Sequence, residues 1–169
     1  MALWKNGKAV DDLWRPMPDD GYVSNGVPTI LPLKAWLEQR DALLGREQLL
    51  GVRIEPGEAL GPVVPDLSRL NVVALSFPKF ADGRSFSKAT MLREEHGYKG
   101  EIRAVGDVLW DQLQLMARCG FDAFEITHEP TLRALEGGKK PFMSDFYQPG
   151  YGPEMRVNTP RAWARQAAG

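Results

Sequence analysis

The chain has very few of the residues that hold redox metals or form disulfides. Its 169 residues include one cysteine, Cys119, and two histidines, His96 and His128. One cysteine cannot form an internal disulfide or hold a four-thiolate cluster, and the two histidines do not form an HExxH or HxH pair. We therefore expect no protein-bound metal and no tightly bound cofactor.

Long apolar runs and the short signatures of common enzyme classes are also missing. No window approaches the roughly 18 consecutive apolar residues that a membrane-spanning helix requires. The first 14 residues carry charges throughout, so we expect no export signal and a cytoplasmic protein. The sequence holds no GxxxxGK[ST], GxGxxG or GxSxG motif, which argues against the best-marked nucleotide-binding and hydrolase classes.

An excess of charge of either sign is absent. Lys and Arg total 21, Asp and Glu total 22, and the formal net charge is -1. A balanced chain lacks the basic surface of a general nucleic-acid binder, so no nucleic-acid partner is expected. Apolar residues make up 43% of the chain, which is enough for the core of one soluble domain.

Short apolar runs alternate with helical patterns through the middle of the chain. The runs begin near residues 29, 49, 72, 101 and 123, and helices separate most of them. This rhythm predicts βα units and a mostly parallel sheet of about five strands over residues 29–137. We expect a three-layer α/β domain, flavodoxin-like in general plan, with residues 72–77 in the centre. A partial barrel would show the same alternation.

The two ends of the chain differ from this middle part. Residues 1–28 read as an irregular arm with a hairpin at Asn6-Gly7, a favoured two-residue turn. Trp4 and Trp14 would anchor this arm to the domain. Residues 138–169 are rich in Gly, Pro and aromatic residues and read as an irregular C-terminal extension, either docked or partner-binding.

The loop after the third predicted strand is a candidate anion site. It carries Lys79, Asp82, Gly83, Arg84 and Ser85, and a helix begins near Ser85. Ligands of open parallel sheets bind beyond the carboxyl ends of the strands, and helix N–H groups with two cations suit an oxyanion. The alternative is a capped turn, in which Ser85 caps the helix and both cations are solvated.

Four other polar residues stand at positions where chemistry could occur. Arg103 and Glu125 lie inside short apolar strands, where they form either a structural ion pair across neighbouring strands or a polar pair facing a ligand. Asp107 is a helix cap or a general base. His128 is a surface histidine near a helix start or an acid/base group. Cys119 is most simply a core residue.

Three blocks of the sequence carry a family resemblance: FPKFADGR, YKGEIRAVGD and RCGFDAFE. With residues 27–126 around them, they resemble the bacterial domain of unknown function family 934, whose members are described as probable oxidoreductases involved in sulfite reduction. The positions that match the family pattern and could serve a site include Arg93, Arg103, Gln112 and Arg118. The resemblance implies that the gene for this protein lies beside the genes for a siroheme-dependent sulfite reductase.

From this resemblance we expect an accessory protein of assimilatory sulfite reduction. It would bind sulfite reductase, another sulfur-assimilation protein or a small oxyanion. One alternative is an oxidoreductase that uses a diffusible flavin or nicotinamide. Another is a binding module that senses a sulfur metabolite. The missing redox ligands and dinucleotide fingerprint favour the accessory role over the enzyme.

Overall fold

The computed structural model of the chain describes residues 1–79 and 82–139. Residues 140–169, which include the aromatic part of the predicted extension, lie outside the described residues. The strands are β1 Ala2–Lys5, β2 Lys8–Val10, β3 Arg15–Pro16, β4 Thr29–Pro32, β5 Leu50–Ile54, β6 Val72–Phe77, β7 Glu101–Gly106 and β8 Ala123–Ile126. The helices are α1 Leu33–Leu44, α2 Arg84–Glu94, α3 Leu113–Cys119 and α4 Glu129–Glu136, with 3-10 turns at Val64–Asp66 and Trp110–Gln112. Within these ranges, no helix is long and apolar enough to cross a membrane.

The strands form one mixed sheet in the order β2-β1-β8-β7-β6-β5-β4-β3. Strands β3 to β8 are parallel to one another, whereas β1 is antiparallel to both of its neighbours, β2 and β8. The five predicted strands correspond to β4 to β8, and β6 is buried at every position, as expected for a central strand. The mostly parallel α/β sheet is confirmed, but the count of five strands is wrong.

The three additional strands come from the N-terminal arm. Asn6 and Gly7 have positive φ values of 53° and 76° and connect β1 to β2 as a hairpin. β1 pairs with β8, and β3 pairs with β4. The sequence does not show β3, because its two residues, Arg15 and Pro16, carry no apolar alternation.

The helices cover one face of the sheet. Trp36 of α1, Leu92 of α2, Met116 of α3 and Leu135 of α4 share one core cluster with the residues of β4 to β8 that point toward it. Strands β4 to β8 follow one another in space as in sequence, so right-handed crossovers place all their helices on the same side. The three-layer, flavodoxin-like plan is therefore wrong, since the other face of the sheet has no helical layer among the described residues.

The sheet is strongly curled. β2 and β3 lie at its opposite edges, yet only the short segment between Val10 and Arg15 connects them. Five residues span at most about 18 Å, whereas eight strands laid flat at about 4.8 Å spacing would place the edges about 34 Å apart. The two edges must therefore approach each other, and the face without helices becomes the inner face of an open barrel.

Candidate functional site

The inner face of the curled sheet encloses a cavity of about 410 Å³. Side chains from the sheet and from the N-terminal arm line it. Its apolar walls include Trp14, Met17, Ile30 and Val105. Cavities of this size with mainly apolar walls and a few polar groups are typical of sites for small organic molecules.

Arg103 is the most deeply buried charged group in this cavity. It is 1% exposed, because strand alternation points it inward from the middle of β7. Its Nη1 donates to Oδ2 of Asp12 at 2.8 Å, and its Nε donates to Oε1 of Glu101 at 2.8 Å. Lys5 neutralises Glu101 from the other side at 2.6 Å. The Nη2 of Arg103 is buried and has no hydrogen-bond partner among the described residues.

Glu125 lines the same cavity from β8. The predicted ion pair between Arg103 and Glu125 is wrong. Arg103 stands opposite Ala123 in the β7–β8 register, so Glu125 lies two residues farther along, and the guanidinium turns to Asp12 and Glu101 instead. Both side chains line the cavity, and the alternative, a polar pair that faces a ligand, stays a prediction.

Two further arginines lie on the more exposed side of the cavity. Arg53 of β5 pairs through Nε with Oε1 of Glu55 at 2.8 Å, and its Nη2 donates to Oγ of Ser76 at 3.4 Å. Arg15 of the arm donates from Nη1 to two backbone carbonyl oxygens of its own segment. The cavity therefore combines three guanidinium groups with the carboxylates of Asp12 and Glu125.

The predicted anion loop at residues 79–85 has a different arrangement from the expected one. Arg84 donates from Nε and Nη2 to both oxygens of Asp82, at 2.9 and 2.6 Å. The hydrogen bond from Arg84 lowers the pKa of the Asp82 carboxyl to about 2. The fork of Arg84, which was expected to grip an oxyanion, is thus already occupied by a carboxylate of the same loop.

The rest of this loop corrects the predicted helix start. Helix α2 begins at Arg84, with Gly83 at the cap position. Ser85 is fully buried, and its hydroxyl donates to the carbonyl oxygen of Ser76 at 2.7 Å. Ser85 therefore ties the helix to β6 and neither caps it nor faces an anion. Lys79 is exposed. Anion binding at this loop stays a prediction.

A family model described as "Bacterial protein of unknown function (DUF934)" matches residues 51–156. The matched segment covers more than half of the chain. The chain belongs to the DUF934 family. This confirms the family resemblance. A comparison with the curated proteins finds no match.

The DUF934 segment supplies only part of the cavity. It includes Arg53, Arg103 and Glu125, whereas Asp12 and Trp14 lie before it. The family domain thus contributes the charged inner face of the sheet, and the N-terminal arm supplies the opposite wall.

Three other polar residues of the DUF934 segment lie outside the cavity lining. Arg93 is buried and donates to the carbonyl oxygens of Gly120, Tyr98 and Gly100 and to the Asp122 carboxylate. These contacts make Arg93 a clamp between α2 and the loops that lead into β7 and β8. The other two, Gln112 and Arg118, lie on the segment that connects β7 to β8.

Asp107 and His128, the two acid/base candidates, also lie away from the cavity. Asp107 follows β7, and its backbone N–H donates to the Phe77 carbonyl at 2.7 Å. It does not cap the predicted helix, because a 3-10 turn at Trp110–Gln112 precedes α3. His128 is exposed just before α4, with Nδ1 2.9 Å from the Thr131 hydroxyl. A catalytic role for either residue stays a prediction.

The described residues bring no group of three or more His, Cys, Asp or Glu side chains together in a way that could hold a metal ion. Cys119 is half-buried at the end of α3, and burial raises the pKa of its thiol. A raised pKa disfavours the thiolate that a nucleophilic or redox cysteine needs at neutral pH.

Sequence reasoning identified part of the cavity and missed the rest. Arg103 and Glu125 stood out because each interrupts an apolar strand, and Arg53 carried the same signal in β5. Asp12 and Arg15 carried none, since they belong to an irregular segment whose position depends on contacts with distant strands.

Proposed function

We propose that this protein is an accessory protein of assimilatory sulfite reduction that binds a small anionic ligand in the cavity on the inner face of its sheet. The pathway comes from the family resemblance. The observation that carries the binding site is Arg103, a fully buried guanidinium whose Nη2 has no partner among the described residues.

A buried donor without a partner is costly unless a ligand or water fills its hydrogen-bonding position. An oxyanion group suits Nη2 best, because hydrogen bonds from a guanidinium to a charged oxygen are roughly twice as strong as neutral ones. The Asp12 and Glu101 carboxylates hold the other side of the Arg103 guanidinium. The free nitrogen is therefore fixed in place before the ligand arrives, which reduces the entropy cost of binding.

The experiment is calorimetric titration of the purified protein with sulfite, sulfate and acetate at low and high salt. We expect measurable binding that weakens as salt rises. Two variants locate the site. Arg103→Lys keeps the charge but loses the forked donors, so it should weaken binding about tenfold or more. Ala74→Leu adds apolar volume to the cavity wall without changing a charge and should block binding.

Arg84→Gln is the matched control, because Arg84 is an exposed guanidinium paired with a carboxylate outside the cavity. It should bind like the unchanged protein. If none of the anions binds, or if Ala74→Leu binds as well as the unchanged protein, the cavity is not the anion site. If Arg84→Gln alone loses binding, the site is the loop at residues 79–85.

The proposed association with sulfite reductase has its own test. The protein is captured from cells grown on sulfate, and an absorption spectrum of the co-purified material is recorded. We expect the visible bands of a siroheme protein. A spectrum without them contradicts the partnership but not the ligand site.

The enzyme alternative is favoured by one observation, the cavity volume, which suits an organic molecule better than an inorganic ion. Titration with free flavin and with a reduced nicotinamide distinguishes this enzyme from the proposed accessory protein. Saturable binding of either, abolished by Ala74→Leu, would favour an oxidoreductase with a diffusible cofactor. The sensing module would instead bind a sulfur metabolite without turning it over.

A further inference from the structure

Among the described residues, the carboxylate of Glu125 resembles Nη2 of Arg103 in being a polar group of the cavity without a partner. The other acidic residues nearby are paired: Asp12 with Arg103, Glu55 with Arg53, and Glu101 with both Lys5 and Arg103. Among the described residues, none forms a hydrogen bond or an ion pair with the Glu125 side chain. The side chain is half-buried and lines the cavity.

Glu125 and Arg103 stand on neighbouring strands and on the same face of the sheet. Because Arg103 is opposite Ala123, Glu125 is its diagonal neighbour, with Cα atoms about 8 Å apart from the strand rise and spacing. Among the described residues, Nη2 of Arg103 has no hydrogen-bond partner, although Asp12 and Glu101 pair with the rest of its guanidinium, and the Glu125 carboxylate has no partner. The cavity therefore offers one unpartnered donor on a cationic group and one unpaired carboxylate to a single ligand.

This pair discriminates among ligand classes. A simple anion would satisfy Arg103 but would approach the Glu125 carboxylate, and a simple cation would satisfy Glu125 but would meet three guanidinium groups. A zwitterion satisfies both at once. The remaining walls, including Trp14, Met17 and Ile30, are apolar and would contact an uncharged side chain.

We propose that the cavity binds a free α-amino acid, with its carboxylate on Arg103, its ammonium group on Glu125 and its side chain against the apolar wall. This inference rests on the proposed function, since it names the class of anionic ligand that the same cavity takes. It agrees with the size of the cavity, because an inorganic oxyanion would leave most of the 410 Å³ unfilled and Glu125 unpaired.

The first experiment measures the melting temperature of the full chain with each of the 20 protein amino acids in turn. At least one should raise the melting temperature, because a ligand that binds only the folded state stabilises it. The best one is then compared by calorimetry with its N-acetyl derivative, which keeps only the carboxylate, and its amide, which keeps only the ammonium group. We expect both derivatives to bind at least tenfold more weakly.

The variant that tests the role of Glu125 is Glu125→Gln, with Glu38→Gln as the control on the exposed face of α1. Glu125→Gln should lose at least tenfold in affinity for the amino acid. Its affinity for the N-acetyl derivative should stay the same or rise, because a repelling charge is gone. A folding defect would weaken both ligands together, so this opposite response separates recognition from structure. Glu38→Gln should change neither affinity.

The outcomes separate this inference from the proposed function. If no amino acid raises the melting temperature while sulfite or acetate binds at Arg103, the anion site stands and the amino-acid inference is overturned. The same conclusion follows if the N-acetyl derivative binds as tightly as the free amino acid, or if Glu125→Gln weakens both equally. If neither anions nor amino acids bind, the proposed function fails as well.

Discussion

Asp12 in the N-terminal arm and Arg103 in the middle of the sheet are 91 residues apart in sequence and joined by a 2.8 Å hydrogen bond between Oδ2 and Nη1. The arginine side chain is 1% exposed and the aspartate side chain 23%. Asp12 also accepts a hydrogen bond from the Trp14 backbone N–H at 3.0 Å. One carboxylate therefore shapes the arm and fastens it to the buried face of the sheet.

Replacing this carboxylate should destabilise the fold. Asp12→Ala removes a partner of a buried guanidinium, and we expect the free energy of unfolding to fall by about 1–3 kcal/mol. Urea denaturation measures the change. Asp11→Ala is the control, because Asp11 is exposed next to it. Equal stability of the two variants would show that Asp12 does not fasten the arm.

Gly106 at the end of β7 should tolerate no side chain. Its φ is 100°, and a Cβ there would lie 2.5 Å from the Phe77 carbonyl oxygen, which belongs to the neighbouring strand. Gly97→Ala is the matched control, since its φ of 61° is also positive but a Cβ there would meet nothing within 4 Å. We expect Gly97→Ala to cost about 1 kcal/mol and Gly106→Ala clearly more in thermal or urea unfolding. Similar losses of stability in Gly97→Ala and Gly106→Ala would contradict the predicted clash at Gly106.

The Asp82–Arg84 pair predicts a particular pH response. The Arg84 guanidinium lowers the Asp82 pKa from an ordinary 3.8 to about 2. The pair therefore contributes its stability fully above about pH 4 and loses it as the pH falls toward 2. NMR titration of the Asp82 carboxyl should give a midpoint near 2 that moves back toward 3.8 in Arg84→Gln. An unchanged midpoint in the variant would assign the shift to another cause.

Arg93 should matter for stability and not for ligand binding. Arg93→Met leaves three backbone carbonyl oxygens and the Asp122 carboxylate without this donor. We expect a loss of at least about 2 kcal/mol, because each unsatisfied buried acceptor is costly. Arg133→Met, on the exposed surface of α4, should change stability little. A stable Arg93→Met that has lost ligand affinity would place Arg93 in the site.

The sequence predicted the five parallel strands β4 to β8 well, because each is a mainly apolar run near turn residues. It identified Arg103 and Glu125 as unusual for the same reason, since a charge in such a run is conspicuous. It could not assign their partners. Asp12 contacts Arg103 only because the sheet curls, and the curl depends on the strand order. The same alternation of strands and helices occurs in open sheets and in barrel-like sheets, which differ in strand order.

The pairing of β1 with β8 also constrains the order of events during synthesis. Among the described strands β1 is made first, and its neighbour in the sheet, β8, is made last. The hairpin of β1 and β2 therefore cannot pair with the rest of the sheet through β1 until β8 has been made and has joined β7. Until then, one edge of β1 stays exposed. The cavity wall that depends on the arm is thus completed only after β8 has been made.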